Sequence, residues 1–265
     1  MQWWCSARGA PWDGSWQAYP GVWLFVIAVA AAFWTVRKPS DGQTVKPSNG
    51  QRLLLPLAVL LLWLTLDWPL GPLGAGYLAW IHSVQFLMLA MVVPPLLLLG
   101  VDRDRIRALL AARPRLEWTV RRLTQPLFAM ILFAVTMVLS HLPRIVDSLM
   151  ATQVGAFALD LAWLAAGLVF WWPVIVRVPE RAHFPPLVQM LYLFFGTQPH
   201  LYIAMWLLGA DYPSYGTYEL APRITSLSAI TDQQIAGALM LGFGATYVLG
   251  VITVLFFRRM ARETA

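Results

Sequence analysis

The chain has 265 residues, 59% hydrophobic and 12% charged, with a mean hydropathy of +0.63, whereas an ordinary soluble domain carries roughly 25% charged residues. So many apolar side chains exclude a water-facing enzyme and require lipid contact. The net charge of +6 could suit nucleic acid or membrane topology, and the single cysteine, Cys5, excludes an internal disulfide and every zinc or redox motif built on paired cysteines.

Residues 1–20 lack the apolar core of a cleavable signal, so the first apolar run is expected to stay as a span, and Trp3, Trp4, Trp12, Trp16, Trp68, Trp80 and Trp206 are expected in an outer aromatic belt. Seven apolar runs of helical length follow, at 20–36, 53–69, 77–100, 126–143, 154–176, 187–209 and 234–257. Lipid tolerates only helices or closed barrels, and these runs are continuous rather than alternating. The expected fold is therefore an all-α membrane protein, one polytopic domain over 1–265 with seven transmembrane helices.

In chain order, Asp67 closes the second run, and Leu70–Gly76 reads as a short spacer. The third run carries His82 and, one turn later, Gln85, followed by Pro94 and Pro95. After Gly100 an arginine-rich stretch places Ile106, Leu109 and Leu110 at helical spacing behind Asp102 and Asp104, and Pro114 breaks it. This pattern fits a helix lying on anionic lipid. His141 ends the fourth run, Asp160 lies in the fifth, His183 falls in a loop, and Pro199-His200 sits within the sixth. Thr231-Asp232-Gln233-Gln234 has the form of a capping box opening the last helix, which carries Met240.

Sixteen of the nineteen Lys and Arg residues fall on one alternating set of loops, and only Arg8, Arg144 and Arg223 on the other. The positive-inside rule then places the N-terminus outside and the C-terminus in the cytoplasm, so the basic balance reports topology and not nucleic acid. In that orientation Asp67, His82, Gln85, His141, Asp160, His200, Asp232, Gln233, Gln234 and Met240 share the outer half of the bundle, with Gln198 and Met205 nearby.

Ionisable groups inside spans are costly and mark function. Imidazole nitrogen with thioether sulfur and no thiolate suits copper, which makes His82, His141, His200 and Met240 the candidate metal ligands. Asp67, Gln85, Asp160, Asp232, Gln233 and Gln234 form the supporting polar layer. Each histidine also has a plain alternative as an interhelical hydrogen-bond partner. No His-Glu-x-x-His, Gly-x-Ser-x-Gly or phosphate-cradling glycine loop is present, so no catalytic residue is expected.

His82-Ser83-Val84-Gln85, Pro94-Pro95 through Gly100, His141-Leu142-Pro143 with Asp147, and Gly167 before Phe170-Trp171-Trp172-Pro173 occur in this order. Tyr212, Tyr215, Tyr218, Leu227-Ser228, Asp232-Gln233-Gln234, Gly237 and Met240 follow. In these motifs the chain resembles the seven-span CtaG-type cytochrome c oxidase assembly factors, as a divergent member. Many members have a second histidine where this chain has Phe86, and a histidine and acid pair early in the fifth span where it has Ala156, Leu159 and Asp160.

The resemblance implies a non-enzymatic role in the bacterial cytoplasmic membrane: maturing a haem-copper oxidase as copper, held transiently, reaches it from the extracytoplasmic side. The implied partners are oxidase subunits, an extracytoplasmic copper donor and membrane lipid. A haem-bearing or accessory subunit of a respiratory complex and a copper or proton transporter are the competing classes.

Overall fold

The computed structural model describes residues 2–37, 49–176 and 184–263. Lys38, Lys46, Arg177, Arg181 and His183, used above for orientation or set aside from the polar layer, lie outside the described residues. Among the described residues every regular element is a helix. In chain order they are α1 (Pro20–Arg37), α2 (Asn49–Leu66), α3 (Leu70–Gly76), α4 (Ala79–Leu87), α5 (Val93–Leu99), α6 (Arg103–Ala111), α7 (Pro114–Leu123) and α8 (Pro126–Ser140). Then come α9 (Pro143–Met150), α10 (Gln153–Ile175), α11 (Pro186–Gly196), α12 (Gln198–Gly209), α13 (Gly216–Glu219), α14 (Ala229–Leu239) and α15 (Ala245–Glu263). Proline stands in the first turn of α5, α7, α8, α9, α11 and α12. Its missing N–H is no loss there, because the first helical N–H groups have no intrahelical acceptor.

Two helices run on through π-helical turns, Met88–Val92 between α4 and α5 and Met240–Gly244 between α14 and α15. The first has a local cause. Pro94 and Pro95 have no N–H to return to the preceding turn, and the ladder widens so that Val93 N–H reaches Met88 O.

Four helices are long and apolar enough to cross a membrane: Pro20–Arg37, Ala79–Leu99, Gln153–Ile175 and Ala229–Arg258. Two bent pairs raise the count to six if each is one span: α2 with α3, bent by 47°, and α7 with α8, bent by 68°. The sixth expected run, 187–209, divides at Thr197 into α11 and α12, of 11 and 12 residues. The expected spacer 70–76 is itself helical, with Gly71, Pro72, Gly74, Ala75 and Gly76 all buried. Small residues there let the chain fold back against its neighbours, which hydropathy alone does not show.

The Ala79–Leu99 segment is the most enclosed, 78% of it buried, against 11% of α1 and 17% of Ala229–Arg258. It crosses α10, which also packs on α8 and α9. The crossing depends on Gly167, where a Cβ would stand 2.5 Å from Ala90 O and 2.6 Å from Pro94 Cγ. Below it, α6 is capped by Asp102, whose carboxylate accepts Arg105 N–H at 2.9 Å, and it buries Ile106 and Leu110 as the spacing predicts. No residue of α7 is buried, and Trp118 is exposed beside Arg122.

The belt reading fails for Trp4. It is 1% exposed and part of the core, because its indole N–H has found a carboxylate inside the bundle, whereas Trp3 and Trp16 are exposed.

Candidate functional site: a buried imidazole layer

His82 lies in the first turn of α4, and its position is set by a neighbouring helix. Leu78, at the N-cap, offers no side-chain acceptor. Asp232, fully buried in the first turn of α14, reaches across and accepts the N–H groups of Ala79 at 2.9 Å and Trp80 at 3.2 Å. A carboxylate from one helix thus satisfies the free donors at the positive end of another. The capping box expected at Thr231 is not formed: α14 begins two residues earlier and is capped by Ser228, whose Oγ accepts Thr231 N–H at 3.1 Å. The His82 ring lies between Trp163, 5.0 Å away by ring centres, and Tyr218, 5.6 Å away. Neither of its nitrogens makes a hydrogen bond of ordinary geometry, its contact with the Gly74 backbone being a marginal one.

His141 was expected inside the fourth span, but α8 ends at Ser140 and His141 is its C-cap residue. The turn that ends the helix folds the ring back, bringing Nδ1 to 2.7 Å from Met137 O and 3.3 Å from Ser140 Oγ. A carbonyl only accepts, so Nδ1 carries the proton and Nε2 holds a bare lone pair. Ser140 Oγ also accepts the Trp163 indole N–H at 2.8 Å. The edge of the His141 ring meets Phe86 at 4.7 Å, and the Trp163 ring centre is 6.1 Å away. Phe86 and Trp163 therefore join the two histidines into one packed cluster.

His200 repeats the arrangement on α12, which packs against α8. Its Nδ1 bonds to Thr197 O, which fixes the same tautomer. Its Nε2 faces the second π-helical turn, where a Cβ on Gly244 would lie 2.6 Å from it. Met240 opens that turn and is fully buried. Six buried side-chain nitrogens among the described residues lack a partner, and four of them belong to these imidazoles: both of His82, and Nε2 of His141 and His200.

The other polar residues of the expected layer are engaged elsewhere. Asp67 accepts the indole N–H groups of Trp23 at 2.8 Å and Trp63 at 2.6 Å and the backbone N–H of Trp68 at 2.9 Å, tying α1 to α2. Gln85 donates to Thr65 O at 3.1 Å and Leu70 O at 3.2 Å, holding α3 against α4. Asp160 accepts Trp4 Nε1–H at 2.8 Å. Gln233 accepts Ser214 N–H at 2.6 Å and donates to Leu207 O at 3.4 Å. Gln234 is half-buried, and Met205 is exposed on α12 rather than inward.

Sequence reasoning passed over Trp163, Ser140 and Gly244. It named Asp147, Tyr215 and Tyr218 only as part of a resemblance. Asp147 caps α13 through Gly216 N–H at 3.1 Å and Thr217 N–H at 2.8 Å, Tyr215 OH donates to His141 O at 3.0 Å, and Tyr218 OH donates to Gly74 O at 2.7 Å. The loop that carries α13 is thereby pinned against the histidines.

Chemically, His141 and His200 are neutral imidazoles oriented through Nδ1, the arrangement that backbone acceptors impose on metal-binding histidines. Among the described residues no group of three or more His, Cys, Asp or Glu is gathered as a metal cage. What the layer offers is separate, soft, exchangeable donors. The family model described as cytochrome c oxidase caa3 assembly factor matches residues 27–262. That span holds every residue of the imidazole layer and leaves out Trp3, Trp4 and Cys5. No curated protein and no solved structure matches the chain.

Proposed function

The chain belongs to the cytochrome c oxidase caa3 assembly factor family, and from that premise we propose that it hands copper to the oxidase from the extracytoplasmic side. The observation that carries the reading is the set of buried, unpaired imidazole nitrogens on three helices. Burying a polar atom without a partner costs free energy, and a metal ion that visits supplies the missing partner.

Cu(I) is the cargo these groups suit. It accepts neutral imidazole and thioether at low coordination number, so His141 Nε2 and His200 Nε2 serve as donors, Met240 in the π-helical turn that His200 faces is the soft candidate, and His82, set apart by Phe86 and Trp163, is a separate donor along the same layer. Weak, incomplete ligation is what transfer requires, since a closed cage would retain the ion. The charge bias of the loops supports seven crossings of a bacterial cytoplasmic membrane with the N-terminus outside, which puts this layer on the extracytoplasmic half. Oxidase subunits and an extracytoplasmic copper donor are the partners, lipid surrounds the bundle, nucleic acid has no part, and the role is not enzymatic.

The haem-bearing alternative meets a packing objection: Phe86 and Trp163 fill the space between His82 and His141, 5.5 Å apart by ring centres. The transporter alternative needs polar groups continuing past the layer. On the opposite half the buried Gln189 and Thr124 side chains are bonded to backbone carbonyls, Phe184 O and Val120 O.

The test is Cu(I) affinity of the purified protein, measured by competition with a chromophoric chelator. His141→Ala and His200→Ala should each weaken binding by about 10-fold to 100-fold, and His183→Ala should not. A double variant of His82 and His141 that inserts normally should fail to restore oxidase activity to a deletion strain whose total copper is unchanged. Equal Cu(I) binding by all these variants would overturn the assignment. A severalfold shift of cellular copper with the oxidase intact would replace it with transport.

A further inference from the structure

Residues 2–10 precede the family match, yet they run across the end of the bundle where α4, which carries His82, and α10, which carries Trp163, begin. The path is fixed by contacts with helix termini. Trp3 O accepts Gly21 N–H at 2.9 Å at the start of α1, and Ala7 N–H donates to Met150 O at 2.9 Å at the end of α9. Gln153, opening α10, accepts the backbone N–H groups of Trp3 at 2.7 Å and Trp4 at 3.3 Å. Ala7 lies against Gly76 so closely that a Cβ there would stand 2.8 Å from Ala7 Cα, and Ala10 O accepts the Tyr77 hydroxyl at 2.8 Å. The starts of α1, α10 and α4 and the ends of α3 and α9 are thus bridged by one segment that has no helix of its own.

The anchor at its centre is Trp4. Its indole N–H donates to Asp160 Oδ2 at 2.8 Å, and its ring packs edge-on against Phe157 at 4.9 Å and Phe25 at 5.6 Å. Asp160 is one helical turn before Trp163, the residue whose ring touches both histidines. Through Asp160 the segment is thus tied to the stretch of α10 whose Trp163 packs on the imidazole cluster. The outer loop with Tyr215 and Tyr218 closes the other side, but it is pinned through Asp147 and Gln233 and lies inside the family match.

We propose that residues 2–10 are a strap that shuts the mouth of the imidazole layer and must lift before a ligand reaches His82 and His141. The identity of that ligand as Cu(I) rests on the function proposed above; the strap itself does not. Two features suit a segment that opens apart from the bundle. Its backbone is held mainly at helix ends, and, although Trp4 and Cys5 are buried, its centre is tied by one buried side-chain hydrogen bond to a carboxylate, so opening costs the burial of these two side chains and not the unfolding of a helix.

Cys5 makes the motion measurable. It is the chain's one cysteine, 4% exposed, its Sγ 3.4 Å from Leu66 O. Burial, reinforced by the Asp160 and Asp67 carboxylates, holds its thiol well above the ordinary range. With the strap shut it is both covered and starved of thiolate, so its reaction with a maleimide reports opening.

The experiment uses the full chain in lipid nanodiscs and compares wild type with Trp4→Phe, which keeps a ring but loses the N–H donor. Gln153→Ala, which leaves the strap's own side chains intact, guards against a folding defect in the first variant. Maleimide labelling of Cys5 is read beside carbethoxylation of His82 and His141 by diethyl pyrocarbonate, located by mass spectrometry. Both should rise about tenfold in Trp4→Phe, the change in opening expected from losing one buried hydrogen bond, and should rise together above wild type in Gln153→Ala, which loses two more exposed ones. Faster Cys5 labelling with unchanged histidine modification would show that the strap moves without gating. Unchanged labelling in both variants would show that this latch does not hold it. Both results overturn the proposal. Coupled increases in protein that binds no Cu(I) would sustain the strap and remove only the copper assignment.

Discussion

The bundle holds two kinds of buried polar residue, and they differ in their hydrogen bonds. Every buried carboxylate and the buried amides of Gln85 and Gln233 are occupied: Asp67 with two indoles and a backbone N–H, Asp232 with the start of α4, Asp160 with Trp4, Gln85 with the carbonyls around α3. The imidazoles are not. His141 and His200 each use one nitrogen to orient the ring and leave the other bare, and His82 leaves both. Burial thus gathers these polar residues, and only hydrogen-bond accounting divides them into scaffold and candidate site.

The division makes its largest prediction at Asp67. Asp67→Ala removes the acceptor of three N–H groups, at about 1 kcal/mol or more for each donor left unsatisfied, so a loss of about 3 kcal/mol is expected. It should appear as a sharp fall in thermal stability in detergent and poor recovery of folded protein. His141→Ala should do the reverse, costing Cu(I) affinity about 10-fold to 100-fold with a much smaller change in melting temperature. If His141→Ala proved as destabilising as Asp67→Ala while leaving Cu(I) binding intact, the two classes would collapse into one.

Gly244→Ala sharpens the comparison where backbone meets site. Its new Cβ would fall 2.6 Å from His200 Nε2, so the imidazole must move, at a cost of about 1–3 kcal/mol typical of overpacking. A double-mutant cycle isolates the cause. In a His200→Ala background the same substitution should cost less than about 0.5 kcal/mol, because the atom it strikes is gone. An equal cost in both backgrounds would mean that the π-helical turn, and not the histidine, resents the methyl group.

Hydropathy made the apolar runs legible, and with them the burial of His82, His141 and His200. It did not show the breaks. The α3 segment read as a spacer because glycine and proline usually mark turns, whereas here Gly71, Gly74 and Gly76 are small for the sake of close packing. His141 read as a helical residue, and its role depends on being just past the helix end, where the chain turns back on Met137 O. Trp4 read as a belt residue because composition cannot reveal a carboxylate partner 156 positions away. The ligand candidates were visible by type, but their availability depends on side-chain partners that no spacing rule encodes.

The smallest effects lie within one tripeptide. Asp232, Gln233 and Gln234 are adjacent and polar, and the capping-box reading would single out Gln234, which the structure leaves half-buried. Their partners rank them differently. Asp232→Ala uncaps α4 beneath His82 and should cost about 1–2 kcal/mol, the upper part of the range for a lost N-cap because the site is buried. Gln233→Ala frees Ser214 N–H and should cost about 1 kcal/mol, loosening the outer loop at the same time. Gln234, half-buried, should fall within about 0.5 kcal/mol of wild type when changed to alanine. Melting temperature and Cu(I) affinity measured on the three variants would follow the order 232, 233, 234 if hydrogen-bond accounting governs the layer. A Gln234→Ala variant that lost Cu(I) binding at unchanged stability would break the rule at its weakest point, by placing a ligand-handling role on a side chain that the scaffold does not use.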